Sequence, residues 1–130
     1  MAINYPSQGE FYAGAYSVSA SPFVTSSIVA LGEIKEIDFG YVSKFIVIRN
    51  TSENSVLAVA FTENGLKPSN SNYFILSGSE SFSGDLRSDR IFLSGSGGTE
   101  TGFSVVCGLT TIPSRNLTPI TGSFGFTGVG

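Results

Sequence analysis

The segment Val56-Leu-Ala-Val-Ala-Phe61 decides the fold class of this chain, because every one of its side chains is apolar. Val and Phe favour strands, and an apolar run this short is typical of a strand rather than of a helix. The segment therefore predicts a strand that is buried on both faces. The nearby run Phe45-Ile-Val-Ile48, which ends at Arg49-Asn50, predicts a second central strand.

Short runs of the same character continue on both sides of these two segments. They predict strands near residues 23–31, 34–39, 73–77, 90–94 and 103–109, with a weaker one near 82–87. The gaps contain turn residues, for example Glu63-Asn-Gly65 and Ser94-Gly-Ser-Gly-Gly98. Seven or eight strands at intervals of roughly 8–12 residues predict an all-β sandwich or barrel.

Length and charge narrow the function classes. The 130 residues suit one domain, and 13% of them are charged, which is about half the usual share. The net charge is −3, and the seven basic residues are scattered, so the sequence predicts no binding of nucleic acid. A surface rich in Ser, Thr and Asn costs little to desolvate, which favours contacts with other protein chains.

The two ends of the chain differ from the middle. We interpret residues 1–22 as an N-terminal extended arm or edge strand, 23–112 as the sandwich domain and 113–130 as a Gly-rich C-terminal arm. Large apolar residues on a small-residue backbone suit an arm that docks along a surface, either its own or a neighbour's. The candidate interface residues in the arms are Tyr5, Phe11, Tyr12, Tyr16, Ile120, Phe124, Phe126 and Val129.

Residues for catalysis are scarce. The absence of histidine removes the commonest general base near neutral pH, the usual zinc ligand and any Ser-His or Cys-His pair. Cys107 lies in an apolar run without a basic neighbour, which is typical of a small core residue. The carboxylates Glu63, Glu80, Asp85 and Asp89 lie in or beside predicted turns, where they usually cap backbone amides. We expect no enzyme activity, no cofactor and no metal.

The densest charge cluster is Asp85-Leu-Arg-Ser-Asp-Arg90. Its alternating signs suggest either a solvated edge strand or an ion-pair site between subunits. Arg87 and Arg90 are therefore further interface candidates.

The sequence also bears on secretion and on membrane insertion. Met1-Ala-Ile-Asn-Tyr-Pro6 has neither a basic nor an apolar region of the secretory kind, and no apolar run reaches 18 residues. We expect neither secretion by a signal peptide nor direct insertion into a membrane.

Several stretches, in order along nearly the whole chain, resemble single jelly-roll virion proteins. They are similar to the small vertex (penton) or minor capsid proteins of large icosahedral double-stranded DNA viruses. The stretches are Ser21-Pro-Phe-Val-Thr-Ser-Ser27, Ile37-Asp-Phe-Gly-Tyr-Val-Ser-Lys-Phe-Ile-Val-Ile-Arg-Asn50, Ala60-Phe-Thr-Glu-Asn-Gly65, Asn72-Tyr-Phe-Ile-Leu76, a Gly-Ser-Glu-Ser turn leading to Leu86-Arg87, Ile91-Phe-Leu93, Phe103-Ser-Val-Val-Cys-Gly-Leu-Thr110 and Ile120-Thr-Gly-Ser-Phe-Gly-Phe-Thr-Gly-Val-Gly130.

The resemblance implies an all-β, eight-stranded antiparallel β-sandwich of the jelly-roll type. It also implies a virion location, assembly inside the host cell as a homopentamer around each five-fold axis, and contacts with neighbouring capsid proteins. The family pattern offers no active site to transfer.

Two other interpretations stay open. One is a β-sandwich that binds carbohydrate or a host surface through loop aromatics, although the chain has no Trp. The other is a capsid decoration or fibre-base protein, which would form trimers or stay monomeric.

Overall fold

The computed structural model describes residues 20–66, 72–96 and 100–118, and within these ranges the chain is almost entirely β. The strands are β1 (Ser21–Ala30), β2 (Ile34–Asp38), β3 (Tyr41–Asn50), β4 (Val56–Ala60), β5 (Phe74–Leu76), β6 (Ser81–Gly84), β7 (Arg90–Ser96) and β8 (Glu100–Pro113). Two short 3₁₀ helices, η1 (Asn64–Leu66) and η2 (Ser114–Asn116), accompany them. No helix in the described ranges has the length and apolar character needed to cross a membrane.

The strands form two four-stranded antiparallel sheets. The first sheet has the order β1-β8-β3-β6 and the second has the order β2-β7-β4-β5. Strands β1 and β2 lie beside β8 and β7, while β3 and β4 lie beside β6 and β5, so two ribbons wrap around one core. This arrangement is a jelly roll, and it confirms the predicted eight-stranded antiparallel sandwich.

The core lies between the two sheets, because alternate residues of each strand point inward. Strand β8 contributes Phe103, Val105 and Cys107, and β3 contributes Ile46 and Ile48, all at most 1% exposed. The other fully buried core residues are Val29, Leu57, Val59, Ile91 and Leu93.

The observed strands differ from the predicted ones in burial and length. β4 was expected to be buried on both faces, but Val56 and Ala58 point outward and are half-buried, so only its inner face is fully covered. The strand predicted near 82–87 ends at Gly84. Strand β8 is twice the predicted length, because it spans the sheet between β1 and β3 and pairs with both.

A buried amide joins the two sheets. Asn50 at the end of β3 is fully buried, and its Nδ2 donates to the carbonyl oxygens of Ser55 at 2.8 Å and Leu76 at 3.0 Å. Its Oδ1 accepts from the backbone N–H of Ser52 at 2.9 Å. Because buried polar groups are costly unless hydrogen-bonded, this set of bonds fixes the β3–β4 turn against the end of β5.

The compact part of the chain extends beyond the predicted boundary at residue 112. Leu117, which follows η2, is 7% exposed and packs with Val42 and Ile112 in a small second cluster. The backbone N–H of Ser114 donates to the carbonyl oxygen of Gly40 at 3.1 Å. At the other end, β1 already begins at Ser21, two residues before the predicted start of the domain.

Candidate interaction surface

The outer face of the first sheet carries a row of exposed valines. Cross-strand pairing places Val24 of β1 beside Val106 of β8, and Val106 beside Val47 of β3. Val24 is 66% exposed and Val106 is 37% exposed, while Val47 is half-buried. Apolar side chains therefore run side by side across three strands on the side of the sheet that faces away from the core.

The neighbouring row extends this surface with an aromatic ring. Pro22, Gly108 and Phe45 are cross-strand neighbours. A Cβ atom at position 108 would lie 2.3 Å from Cε1 of Phe45 and 2.7 Å from Cβ of Ala20, so the ring lies directly over the glycine. A side chain at position 108 would have to displace Phe45. We call the surface formed by Pro22, Val24, Phe45, Val47, Val106 and Gly108 the apolar face.

Two shallow depressions flank Phe45. One, of about 320 Å³, is lined by Phe45, Ile46, Val47, Ser83, Gly84 and Asp85. The other, of about 440 Å³, is lined by Ser43, Lys44, Phe45, Asp85 and Arg87. The apolar face therefore ends, at the β6 side, in a concave rim that carries charges of both signs.

Ser43 holds that rim in place. The side chain of Ser43 is fully buried, its hydroxyl donates to the carbonyl oxygen of Leu86, and it accepts from the backbone N–H of Ser88 at 2.9 Å. The backbone N–H of Ser43 donates to the carbonyl oxygen of Ser88 at 2.8 Å. The register of β3 shifts between Tyr41 and Phe45, which allows this strand to bond the 85–89 loop instead of a regular neighbour.

Charge is sparse across the outer side of the first sheet. The row next to the valines consists of Ser26, Ser104, Arg49 and Ser81. Three adjacent rows of cross-strand neighbours, those that contain Phe45, Val106 and Ser104, make up this part of the sheet. Among the paired residues of these rows, Arg49 is the one ionisable side chain. A partner that covered these rows would bury few hydrated charges.

The outer face of the second sheet is built differently. Phe92 of β7 points outward but is only 9% exposed, and η1 packs against β4 and β7. Arg90 pairs with Glu36 at 2.9 Å and with Asp89 at 3.2 Å. The hydrogen bond to Asp89 raises the pKa of the Arg90 guanidinium, and the nearby carboxylates add to this effect. Ile34 and Ile75 on this face are 37% and 53% exposed, but they lie at opposite edges of the sheet, with Ser94 and Ala58 between them. Its exposed apolar side chains are therefore separated, unlike the adjacent valines of the first sheet.

The structure separates the two arginines that the sequence suggested. Arg87 lines the larger depression beside the apolar face, whereas Arg90 lies on the second sheet and is paired within its own chain. The edge-strand interpretation of their cluster is wrong, because residues 85–89 form a connecting loop and Arg90 begins β7, which lies inside its sheet. The arm residues Tyr5, Phe11, Tyr12, Tyr16, Ile120, Phe124, Phe126 and Val129 lie outside the described residues.

The prediction for Cys107 is confirmed. Its thiol is fully buried, and desolvation raises its pKa to about 12. Reactive cysteines need a stabilised thiolate, so this group is inert in the folded chain. Within the described ranges, no cluster of three or more Asp, Glu, Cys or His side chains could hold a metal ion.

Sequence reasoning did not single out the residues of the apolar face. Val24, Phe45 and Val106 each belong to a predicted strand, but only the pairing of β1 with β8 and of β8 with β3 brings them together. Comparison with models of known protein families finds no match, and comparison with curated proteins finds no significant similarity.

Proposed function

We propose that this chain is a structural subunit of an icosahedral virion, located at the capsid vertex, where five copies form a ring. The observation that carries this proposal is the apolar face on a jelly-roll body, with Arg49 in the adjoining row as the one ionisable side chain among the three rows. In this role the chain makes contacts and catalyses nothing. It is assembled inside the host cell, and it needs no cofactor.

A closed ring requires a heterologous interface, in which one surface of a subunit meets a different surface of the next. The apolar face suits one half of such an interface, because Val24 and Val106 stay exposed in the isolated chain. Burying them against a neighbour contributes about 25 cal/mol per Å² of apolar area, and few charges must be desolvated. The Asp85 and Arg87 rim supplies polar groups that fix the orientation of the neighbour.

The resemblance of the sequence to vertex proteins supports the same proposal, because such proteins lie at the five-fold axes of a capsid, where five copies form a ring. Under this proposal the other partners are neighbouring capsid proteins around the vertex. The contacts to them lie on surfaces other than the ring interface.

Native mass spectrometry of the intact chain tests the proposal. A pentamer has five times the 13.6 kDa of one chain, about 68 kDa. Because the proposed interface is weakly charged, we expect the ring to persist in 1 M NaCl, where ion-pair contacts are screened.

A pair of variants locates the interface. Val106→Lys places a charge in the centre of the apolar face, and we expect it to dissociate the ring. Ile75→Lys is the control, because Ile75 is 53% exposed on the outer face of the second sheet. If both variants assemble like the wild type, or if the intact chain stays monomeric alone and with its capsid partners, the proposal is wrong.

A carbohydrate-binding module is the second candidate, and two exposed aromatics favour it. Tyr41 is 48% exposed and Tyr73 is 43% exposed, and such rings can stack on sugars. This candidate predicts a monomer at tens of micromolar that binds on a glycan array and loses binding on Tyr73→Ala.

A further inference from the structure

The free edges of the two sheets are protected unequally. β5 and β6 are three and four residues long, and β2 carries Lys35, Glu36 and Asp38. Short length and charge are the usual means by which proteins prevent edge strands from pairing with other chains. β1 has neither protection, since it is ten residues long and contains no charged side chain.

The backbone of β1 offers hydrogen-bonding groups along that edge. Lys35 Nζ donates to the carbonyl oxygen of Ile28 at 3.4 Å, so this carbonyl points away from β8. Because the N–H and C=O of a strand residue share one side and the sides alternate, the backbone groups of Ser26 and Val24 point to the same free edge. Among the described residues, no strand pairs with that side of β1.

The side chains along this edge set the chemistry of a matching segment. Val24 and Ile28 are 66% and 52% exposed, and they flank Ser26 on the outer face. An added strand that carries apolar or aromatic side chains four residues apart would place them directly opposite Val24 and Ile28. It would also be uncharged opposite Val24 and Ser26, because β1 has no charged side chain and the ammonium of Lys35 lies farther along, beside Ser27 and Ile28.

The chain itself contains such a segment. Residues 119–130 have no charged side chain, and Ile120 and Phe124 are four residues apart, as Val24 and Ile28 are. At about 3.3 Å per residue these twelve residues extend over about 40 Å, compared with about 33 Å for the ten residues of β1.

The position at which the described chain ends favours a second copy, rather than the same chain, as the source of the strand that is added to β1. η2 lies beside the start of β3, because Ser114 bonds Gly40 and Leu117 packs on Val42. A segment that returned from there onto β1 of its own chain would start at the Ser21 end and run parallel to β1. Both sheets are antiparallel throughout, and antiparallel pairing is the more stable arrangement. A segment from a second copy can approach in the antiparallel direction.

We propose that the free edge of β1 between Pro22 and Ile28 binds residues 119–130 of a second copy as an added antiparallel strand. This inference rests on the proposed assembly of the chain, and it identifies a second copy as the partner that binds the free edge of β1. Main-chain hydrogen bonds supply the attachment, and the register places Phe124 opposite Val24, Gly122 opposite Ser26 and Ile120 opposite Ile28.

Crosslinking between two single-cysteine variants of the full chain tests the proposal. Ser26→Cys marks the edge and Gly122→Cys, which lies opposite it in this register, marks the segment, while the buried native Cys107 does not react. The two variants are co-expressed and treated with a short bismaleimide. We expect a crosslinked dimer of twice 13.6 kDa, about 27 kDa, that contains one copy of each variant.

Each variant alone is the matched control and should give no dimer. A dimer of Ser26→Cys alone would mean that two β1 edges pair with each other, and it would overturn the proposal. A crosslink that forms only within one chain of the Ser26→Cys/Gly122→Cys double variant, without joining chains, would place the segment on its own β1 and overturn it too.

A further variant separates this proposal from the proposed function. Ser26→Pro removes one edge-facing N–H and leaves the ladder with β8 intact. When Ile28→Cys marks the edge in place of Ser26→Cys, adding Ser26→Pro should abolish the mixed crosslink to Gly122→Cys while the fold is retained. If the ring forms but no mixed crosslink appears, the edge proposal fails and the vertex proposal stands. If the mixed crosslink forms in an assembly other than a pentamer, the edge proposal stands and the vertex proposal fails.

Discussion

The two sheets of this jelly roll differ in how the large side chains of their outer faces are arranged. On the second sheet, Phe92 is covered and Arg90 is paired with Glu36 and Asp89. On the first sheet, Val24 and Val106 stay exposed to solvent in the part of the chain that the structure describes. On the second sheet the exposed Ile34 and Ile75 lie apart at opposite edges, whereas on the first sheet the exposed valines are cross-strand neighbours that a partner could cover together.

The largest expected effect is a difference in the rate of thiol labelling between the inner and outer sides of β8. Cys107 points into the core and its neighbour Val106 points outward. Because burial raises the thiol pKa from 9.0 to about 12, the thiolate fraction at pH 8 falls about 1,000-fold, and labelling by iodoacetamide should slow at least that much. A Val106→Cys variant should instead gain one thiol that reacts at an ordinary rate.

The same pKa shift predicts a pH dependence. The unfolded thiol ionises near pH 9.0 and the folded one near pH 12, so the stabilisation is complete below about pH 9 and is lost as the pH rises toward 12. Urea titrations of the wild type and of Cys107→Ala at pH 8 and 10.5 check this. A wild-type free energy of unfolding that falls no more than that of Cys107→Ala would contradict it.

The next effect compares outward residues of the two sheets. Phe92→Ala should lower the free energy of unfolding by about 3 kcal/mol, because it removes a covered ring. Val24→Ala should change it by less than about 0.5 kcal/mol, because the side chain is already in water. Urea denaturation of both variants measures the difference, and equal losses would show that the two faces are not distinct.

A third prediction concerns the link between the sheets. Asn50→Ala leaves the carbonyl oxygens of Ser55 and Leu76 without their donor, which should cost about 2 kcal/mol. Ser81→Ala, at an exposed position on β6, is the control and should cost almost nothing. A small loss for Asn50→Ala would mean that other groups satisfy these carbonyls.

The smallest expected effect is on the surface ion pair. The side chains of Arg90 and Glu36 are 41% and 44% exposed, so solvent screens their attraction. Glu36→Gln should therefore lower stability by only about 0.3 kcal/mol. Thermal melting at low salt and in 1 M NaCl should show that even this difference disappears when salt is added.

The positions of the strands could be predicted because period-two alternation and turn residues are local signals. Every predicted strand overlaps an observed one. The ends were less predictable, because they depend on pairing: β8 continues to Pro113 since β1 and β3 lie on both sides of it. Likewise, the strand predicted near 82–87 ends at Gly84, because the hydroxyl of Ser43 hydrogen-bonds the backbone of the following loop at Leu86 and Ser88.

The candidate surface could not be read from the sequence for the same reason. Val24, Val47 and Val106 are far apart along the chain, and nothing local shows that β8 lies between β1 and β3. The buried role of Asn50 was hidden as well, because an Asn at a strand end is typical of an exposed turn. Arg87 was singled out from its charge pattern, and the structure places it beside the apolar face.

The most direct test of the account is hydroxyl-radical footprinting of the intact chain, assembled and then dissociated. If the apolar face is buried between subunits, we expect Val24, Phe45 and Val106 to be protected in the assembly. Ile75 on the second sheet should be labelled equally in both states. Equal labelling of the two faces before and after dissociation, or protection of Ile75 alone, would contradict the claim that the apolar face is an interface between subunits.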